Sequence, residues 1–166
     1  MEMTRTVTIG RQRNGMSEEE TAELYRVVKA CDKEKPRRAN VLALREYLRN
    51  DPTLWREVGD LAAIAVEMLA QDVSGGRALL AESIERGREV MLEELGYAQA
   101  SGLERTLCEA VHLAWLRYAD TERRYTQLMA EGYLSVSQGE WWEKRVTGAQ
   151  RRYLRACETL AKIRKM

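Results

Sequence analysis

The sequence predicts an all-α protein, a bundle of about six helices that ends in a long antiparallel helical hairpin. The chain of 166 residues is rich in Ala, Leu, Glu and Arg, which favour helices, and it contains two prolines and no phenylalanine. Few β-branched residues follow Ile9, so little is available from which to build a sheet. A chain of this length favours a single all-α domain, predicted here over residues 17–166.

The first predicted element is not a helix. Residues 1–16 lack helical periodicity and carry three arginines against one glutamate, so we expect a flexible basic arm. Ser17 followed by Glu20 forms a capping box, which predicts the start of helix one. That helix should end near Lys35, because Pro36 disfavours helical geometry in the residue before it.

Three further helices are predicted before the hairpin. A short second helix runs up to Asn50, and a third starts near Pro52, where Asp51 supplies an N-cap. The broad apolar face of the third helix continues to a Ser-Gly-Gly break at 74–76, the clearest interruption in the chain. A fourth helix then covers about 77–95.

The last two helices form the predicted hairpin. Residues 103–131 carry the longest helical signal, and Gly132 ends it. After a turn, the final helix carries apolar residues at alternating steps of four and three, which is the heptad pattern of a helix that packs along a partner. This apolar seam consists of Trp142, Val146, Ala149, Tyr153, Ala156, Leu160 and Ile163.

Charge is distributed unevenly along the chain. The net charge is only +1, but residues 138–166 carry eight Lys and Arg against three Glu, whereas residues 17–100 have a net charge of −5. Six cations of the last helix lie off the seam, and this geometry could follow a phosphate backbone. They are the predicted nucleic-acid contacts, namely Lys144, Arg145, Arg151, Arg152, Arg155 and Lys162. The competing interpretation is that they neutralise acidic helices, within the chain or in a neighbouring subunit.

Three other residues are predicted to contact a partner. Trp142 begins the apolar seam and is expected to anchor the core, whereas Trp141 should be partly exposed. We therefore predict partner contacts by Trp141 and by Arg11 and Arg13 of the basic arm.

His112 is the only histidine, so it is the residue through which imidazole chemistry would have to pass. Glu109 and His112 have the spacing that di-iron bundles use, although a homodimer would have to supply the second copy. Arg105 and His112 form an R-x6-H element that resembles the motif of HEPN-type ribonucleases, in which such a pair positions and activates the RNA 2′-hydroxyl. The more economical interpretation places these residues on a solvated polar stripe of the helix, together with Asp120 and Arg123.

No cofactor or metal is predicted. The three cysteines lie far apart without a C-x-x-C pair, so we expect reduced, largely buried thiols. The sequence shows neither a long apolar run nor a charged-then-apolar leader, and we expect a cytoplasmic protein without a membrane partner.

Two segments resemble stretches of a group of uncharacterised bacterial proteins, small and all-helical. One segment covers 51–62, and the other carries the R-R-Y-L-x-A…T-L-A-x-x-R-K pattern of a basic last helix. The matching residues of that pattern are Arg151, Arg152, Tyr153, Leu154, Ala156, Thr159, Leu160, Ala161, Arg164 and Lys165. The resemblance implies a bacterial or phage origin and no assigned activity.

These patterns together favour a non-enzymatic, self-associating accessory protein. It would contact nucleic acid, or a nucleic-acid-processing protein, through the basic last helix. One alternative is a purely structural oligomeric scaffold, in which the same helix pairs with acidic helices of another subunit. The other is an enzyme built on His112, either HEPN-like or di-iron.

Overall fold

The computed structural model describes residues 16–51, 53–132 and 134–166, and every regular element in these residues is a helix. The predicted all-α class is confirmed. Apart from Met16, the predicted arm over 1–16 lies outside the described residues. The chain divides into two compact units, Met1–Asp60 and Leu61–Met166. The single domain over 17–166 stays a prediction.

The described part of the first unit contains α1 (Glu18–Cys31), α2 (Arg38–Asn50) and α3 (Leu54–Gly59). Helix α1 begins at the predicted capping box. The Ser17 hydroxyl accepts a hydrogen bond from the Glu20 N–H at 3.1 Å, and the Glu20 carboxylate accepts one from the Ser17 N–H at 2.7 Å. The core of this unit consists of Leu24, Val28 and Leu54.

The prediction of one continuous helix up to the break at 74–76 is wrong, and its predicted start at Pro52 lies outside the described residues. Helix α3 ends at Gly59, and α4 (Leu61–Ser74) begins after Asp60, which is extended with φ −68° and ψ 104°. Glycine weakens a helix, and a short polar side chain such as that of aspartate competes with helical hydrogen bonds. The apolar periodicity continued across this pair and concealed the stop, which is also where the two units meet in sequence.

The second unit contains α4, α5 (Ala78–Glu94), a short 3₁₀ turn (Tyr97–Gln99), α6 (Gly102–Glu131) and α7 (Val136–Ile163). Helices α4 and α5 pack against α6, and α6 packs along α7. Capping boxes at Ser101 and Ser135 begin the two long helices. Helix α6 ends at Gly132, whose φ of +71° lies in the left-handed region that favours glycine.

Helices α6 and α7 form the predicted antiparallel hairpin. Near the start of α6, Glu104 lies 3.5 Å from Arg164, just beyond the end of α7. Further along α6, the Tyr118 ring lies nearly parallel to that of Tyr153, with centroids 6.4 Å apart. Residue numbers in contact therefore rise on one helix as they fall on the other.

The predicted seam of α7 is also confirmed, because all seven positions are buried or half-buried. Its most buried member is Leu160, which is 2% exposed and packs with Cys108 and Val111 of α6. The partner helix that the heptad pattern predicts is therefore α6 of the same chain.

Replacing Leu160 with alanine should lower the free energy of unfolding by about 2–5 kcal/mol, because it leaves a cavity in the α6–α7 core. Urea denaturation followed by circular dichroism measures this loss. The control is Leu154→Ala on the same helix, where the side chain is 50% exposed and the expected change is within about 0.5 kcal/mol. Equal losses in the two variants would contradict the assigned seam.

Candidate nucleic-acid interface

Six exposed cations follow one side of α7. At 3.6 residues per turn they cover roughly 120° of the helix circumference, and they extend over about 27 Å of its axis. None of them forms an ion pair with a carboxylate in the described residues of Leu61–Met166. We call this surface the basic strip, and it consists of Lys144, Arg145, Arg151, Arg152, Arg155 and Lys162.

Several carboxylates of the acidic first part of the chain have partners within their own unit. Glu23, Glu46 and Glu85 each pair with an arginine three positions further along the same helix. Asp72 of α4 pairs with Arg124 of α6. In the described residues of Leu61–Met166, none of the six cations therefore pairs with a carboxylate of α4 or α5, while pairing with the first unit or across subunits stays a prediction.

The two adjacent tryptophans have the different environments that were predicted. Trp142 packs into the hairpin, with its ring 6.4 Å from that of Tyr125 and nearly parallel to it. Trp141 is 51% exposed and meets the Trp142 ring edge-on at 5.1 Å. The Arg145 guanidinium lies 4.5 Å from the centre of the Trp141 ring, a distance at which cation–π attraction is effective. Trp141 is thus held at the surface beside the basic strip.

A groove of about 560 Å³ opens between α4, α6 and α7. Basic side chains from both walls converge on it, and its other lining residues are mostly small or apolar. The lining comprises Leu69 of α4, Arg117, Asp120 and Thr121 of α6, and Trp141, Lys144, Arg145, Gly148, Ala149 and Arg152 of α7. A neighbouring depression of about 200 Å³ shares Arg117, Ala149 and Arg152 and extends the groove along the hairpin.

Asp120 is the one carboxylate in this lining, and other cations already engage it. Arg123 and Arg124 each donate a hydrogen bond to it at 2.8 Å, one to each oxygen. The Asp120 side chain is only 9% exposed. The four cations of the groove therefore face no free carboxylate in its described lining, and the groove favours an anion.

Sequence reasoning assigned neither Arg117 nor Gly148 to a site. Arg117 lies on α6, outside the basic helix, and only the hairpin packing places it opposite Lys144 and Arg152. Gly148 lies within α7, and a Cβ atom added there would meet nothing within 4 Å. The absence of a side chain at this position leaves the groove open. A glycine inside a strong helix was the available signal, because it weakens the helix unless packing or access requires it.

His112 does not lie on a solvated stripe, so that interpretation is wrong for this residue. It is 1% exposed, and neither ring nitrogen has a hydrogen-bond partner in the described residues. Burial, together with the nearby positive charge of Arg88, lowers the pKa of His112 to about 4, although Glu109 opposes the shift. Tertiary packing covers this part of α6, and helical periodicity alone did not reveal it.

The residues proposed to act with His112 have other partners. Glu109 accepts hydrogen bonds from the Tyr97 hydroxyl at 2.8 Å and from Arg88 at 3.3 Å. Arg105 donates to the Ala98 carbonyl at 3.0 Å. In this arrangement His112 has almost no solvent access, and an enzyme built on either pair stays a prediction.

Thiols and acidic residues show no metal site within the described residues. Cys108 is fully buried, Cys31 and Cys157 are half-buried, and all three are free thiols. Burial raises the pKa of Cys108 above its usual value, although Arg164 opposes the shift. The described part of the chain has no group of three or more His, Cys, Asp or Glu placed to hold a metal ion.

Comparison with known proteins identifies no relative. No family model matches the chain, and no curated protein or solved structure matches it. None of the described helices is long and apolar enough to cross a membrane. Any functional conclusion therefore depends on the surface itself.

His112 should make the protein less stable as the pH falls from about 6.5 to about 4. Its pKa is lower in the folded state, so the unfolded chain binds the proton more tightly in this window and stability rises with pH. In His112→Leu the free energy of unfolding should vary less with pH over this window. The difference between the two proteins in that pH-dependent change should reach on the order of a few kcal/mol at the low-pH end of the window. Urea denaturation of both proteins across the window measures the difference.

An independent readout is available because the chain has one histidine. Its imidazole resonance in proton NMR should titrate below about pH 5, well under the roughly 6.5 of an exposed histidine. A midpoint near 6.5 would contradict the buried environment.

Proposed function

We propose that this chain is a non-enzymatic, cytoplasmic accessory protein that binds nucleic acid, or a nucleic-acid-processing protein, through the basic strip of α7. The observation that carries the proposal is the exposure of six cations without ion pairs to described carboxylates. Unneutralised cations along one helix face attract a polyanion, and their binding releases the counterions condensed on its phosphates.

The geometry of the strip supports this proposal. About 27 Å of helix lets several cations contact successive phosphates of one strand. Apolar residues such as Leu154 interrupt the cations, and Trp141 at one end adds an aromatic surface. This combination is typical of contact with nucleic acid rather than with small anions.

The double reversal Arg151→Glu and Arg155→Glu should weaken nucleic-acid binding for all sequences and flatten its salt dependence. Each lost phosphate contact lowers the slope of log affinity against log salt by about 0.7 to 0.9. Fluorescence anisotropy with labelled oligonucleotides over a salt series measures both quantities.

The matched control is Arg26→Glu with Arg49→Glu, which makes the same change in net charge on exposed helix positions of the first unit. It should leave both the affinity and the salt slope close to those of the unchanged protein. If the α7 reversals left salt-dependent binding unchanged, the strip would not be the interface. If they abolished self-association instead, the strip would pair with acidic helices of another subunit.

A structural scaffold is the second candidate function, and one surface favours it. Leu79, Val90, Met91 and Trp115 border an open apolar depression of about 640 Å³ on α5. Leu79 is 84% exposed. Both acidic and basic residues border the depression, so a second copy could pair opposite charges across a two-fold axis.

Replacing Leu79 and Val90 with glutamate should therefore lower the mass of any oligomer. Both side chains are exposed, so the fold should persist while the apolar contact is lost. Light scattering after size exclusion measures the mass. Leu103→Glu, at a 58% exposed position of α6 outside this depression, is the control. An unchanged oligomer in the double variant would exclude this surface.

A further inference from the structure

We propose that the groove between α4, α6 and α7 binds single-stranded nucleic acid, with a base stacked on Trp141 and the adjoining phosphates held by Arg117, Lys144 and Arg152. The inference rests on the proposed function and deepens it. It assigns the preferred form of the nucleic acid and a defined site, whereas the strip alone would contact any polyanion.

Charge in the groove favours a phosphate-bearing ligand. Arg117 approaches from α6, and Lys144, Arg145 and Arg152 approach from α7, so cations stand on two walls of one cavity. Cations placed close together in this way raise the local positive potential, and a bound anion lowers it. Asp120 does not neutralise these cations, because its two oxygens accept hydrogen bonds from Arg123 and Arg124.

The size of the groove selects a single strand. Its volume of about 560 Å³ is in the range of sites that hold small organic ligands, roughly 300–1,000 Å³. A nucleotide unit fits into such a cavity, while a double helix is too wide to enter and could contact only the outer face of α7. The adjoining depression, which shares Arg117 and Arg152, continues the path in one direction along the hairpin.

The lining also suits a base. Leu69 and Ala149 contribute apolar surface, and Gly148 leaves the space open where any other residue would project a side chain. Trp141 lines the groove with half of its surface exposed, and Arg145 lies over its ring. An aromatic ring beside converging cations is the arrangement with which single-stranded nucleic acids are bound irrespective of sequence.

The first test blocks the groove without changing any charge. Gly148→Leu should fill it, and the fold should tolerate this change because a Cβ atom there meets nothing within 4 Å. Gly139→Leu is the matched control: it has the same free space on the same helix, and it lies outside the groove lining. Circular dichroism verifies that both variants retain their helix content.

Binding is measured by fluorescence anisotropy of the full chain at low salt. The probe is a labelled single-stranded oligonucleotide of about twelve nucleotides, within the length that such grooves cover. Gly148→Leu should weaken its binding roughly tenfold, and Gly139→Leu should leave it unchanged. Trp141→Leu should also weaken it roughly tenfold, which is the effect of removing one stacked base. Arg117→Gln should lower both the affinity and the salt slope.

Two further probes separate the possible sources of binding. A duplex of the same length should bind more weakly than the single strand, and its affinity should be insensitive to Gly148→Leu. Inorganic polyphosphate, which carries charge without bases, should be insensitive to Trp141→Leu. If polyphosphate competed as well as the oligonucleotide and Trp141→Leu had no effect on either, binding would be purely electrostatic and the inference would be overturned.

The outcomes distinguish this inference from the proposed function. If Arg151→Glu with Arg155→Glu weakened binding while Gly148→Leu, Trp141→Leu and Arg117→Gln did not, the strip would be the interface and the groove would not be a site. If the unchanged protein bound neither single strand nor duplex, both proposals would fail. Preference for the single strand together with sensitivity to Gly148→Leu and Trp141→Leu supports the groove.

Discussion

The seam between α6 and α7 is the contact on which the candidate site depends. Its apolar positions face α6, so the cations on the adjacent side of α7 remain in solvent. The same packing places Arg117 of α6 opposite Lys144 and Arg152 and creates the walls of the groove. A change in the register of the hairpin would remove the groove while leaving both helices intact.

The basic strip forms no ion pair with a carboxylate in the described residues of its own unit, Leu61–Met166. In α1, α2 and α5, several acidic residues have an arginine three positions away on the same helix, where the two side chains are neighbours. Exposed pairs of this kind add little stability, but they do satisfy the carboxylates. Helix α7 has three acidic residues, and one of them, Glu143, accepts a hydrogen bond from Tyr125.

Burial of His112 shows a different consequence of packing. Burying a neutral imidazole without a described hydrogen-bond partner costs free energy, and burying a protonated imidazole would cost more. The adjacent Arg88 and Glu109 form a satisfied ion pair, with Tyr97 as a further donor to Glu109. The polar groups of this region are therefore directed mainly at one another, and the histidine is almost fully closed off from solvent.

The sequence by itself determined the all-α class, the capping box at Ser17 and the seam of α7, because these depend on propensities and periods that act within one helix. The sequence also identified the cations of the basic strip, since helical spacing shows which residues lie off the seam. Tertiary structure alone decided that His112 is buried and that Arg117 and Gly148 belong to the groove. Such features depend on which helices pack together. Residues far apart in the chain determine that packing, and the pattern within a single helix does not show it.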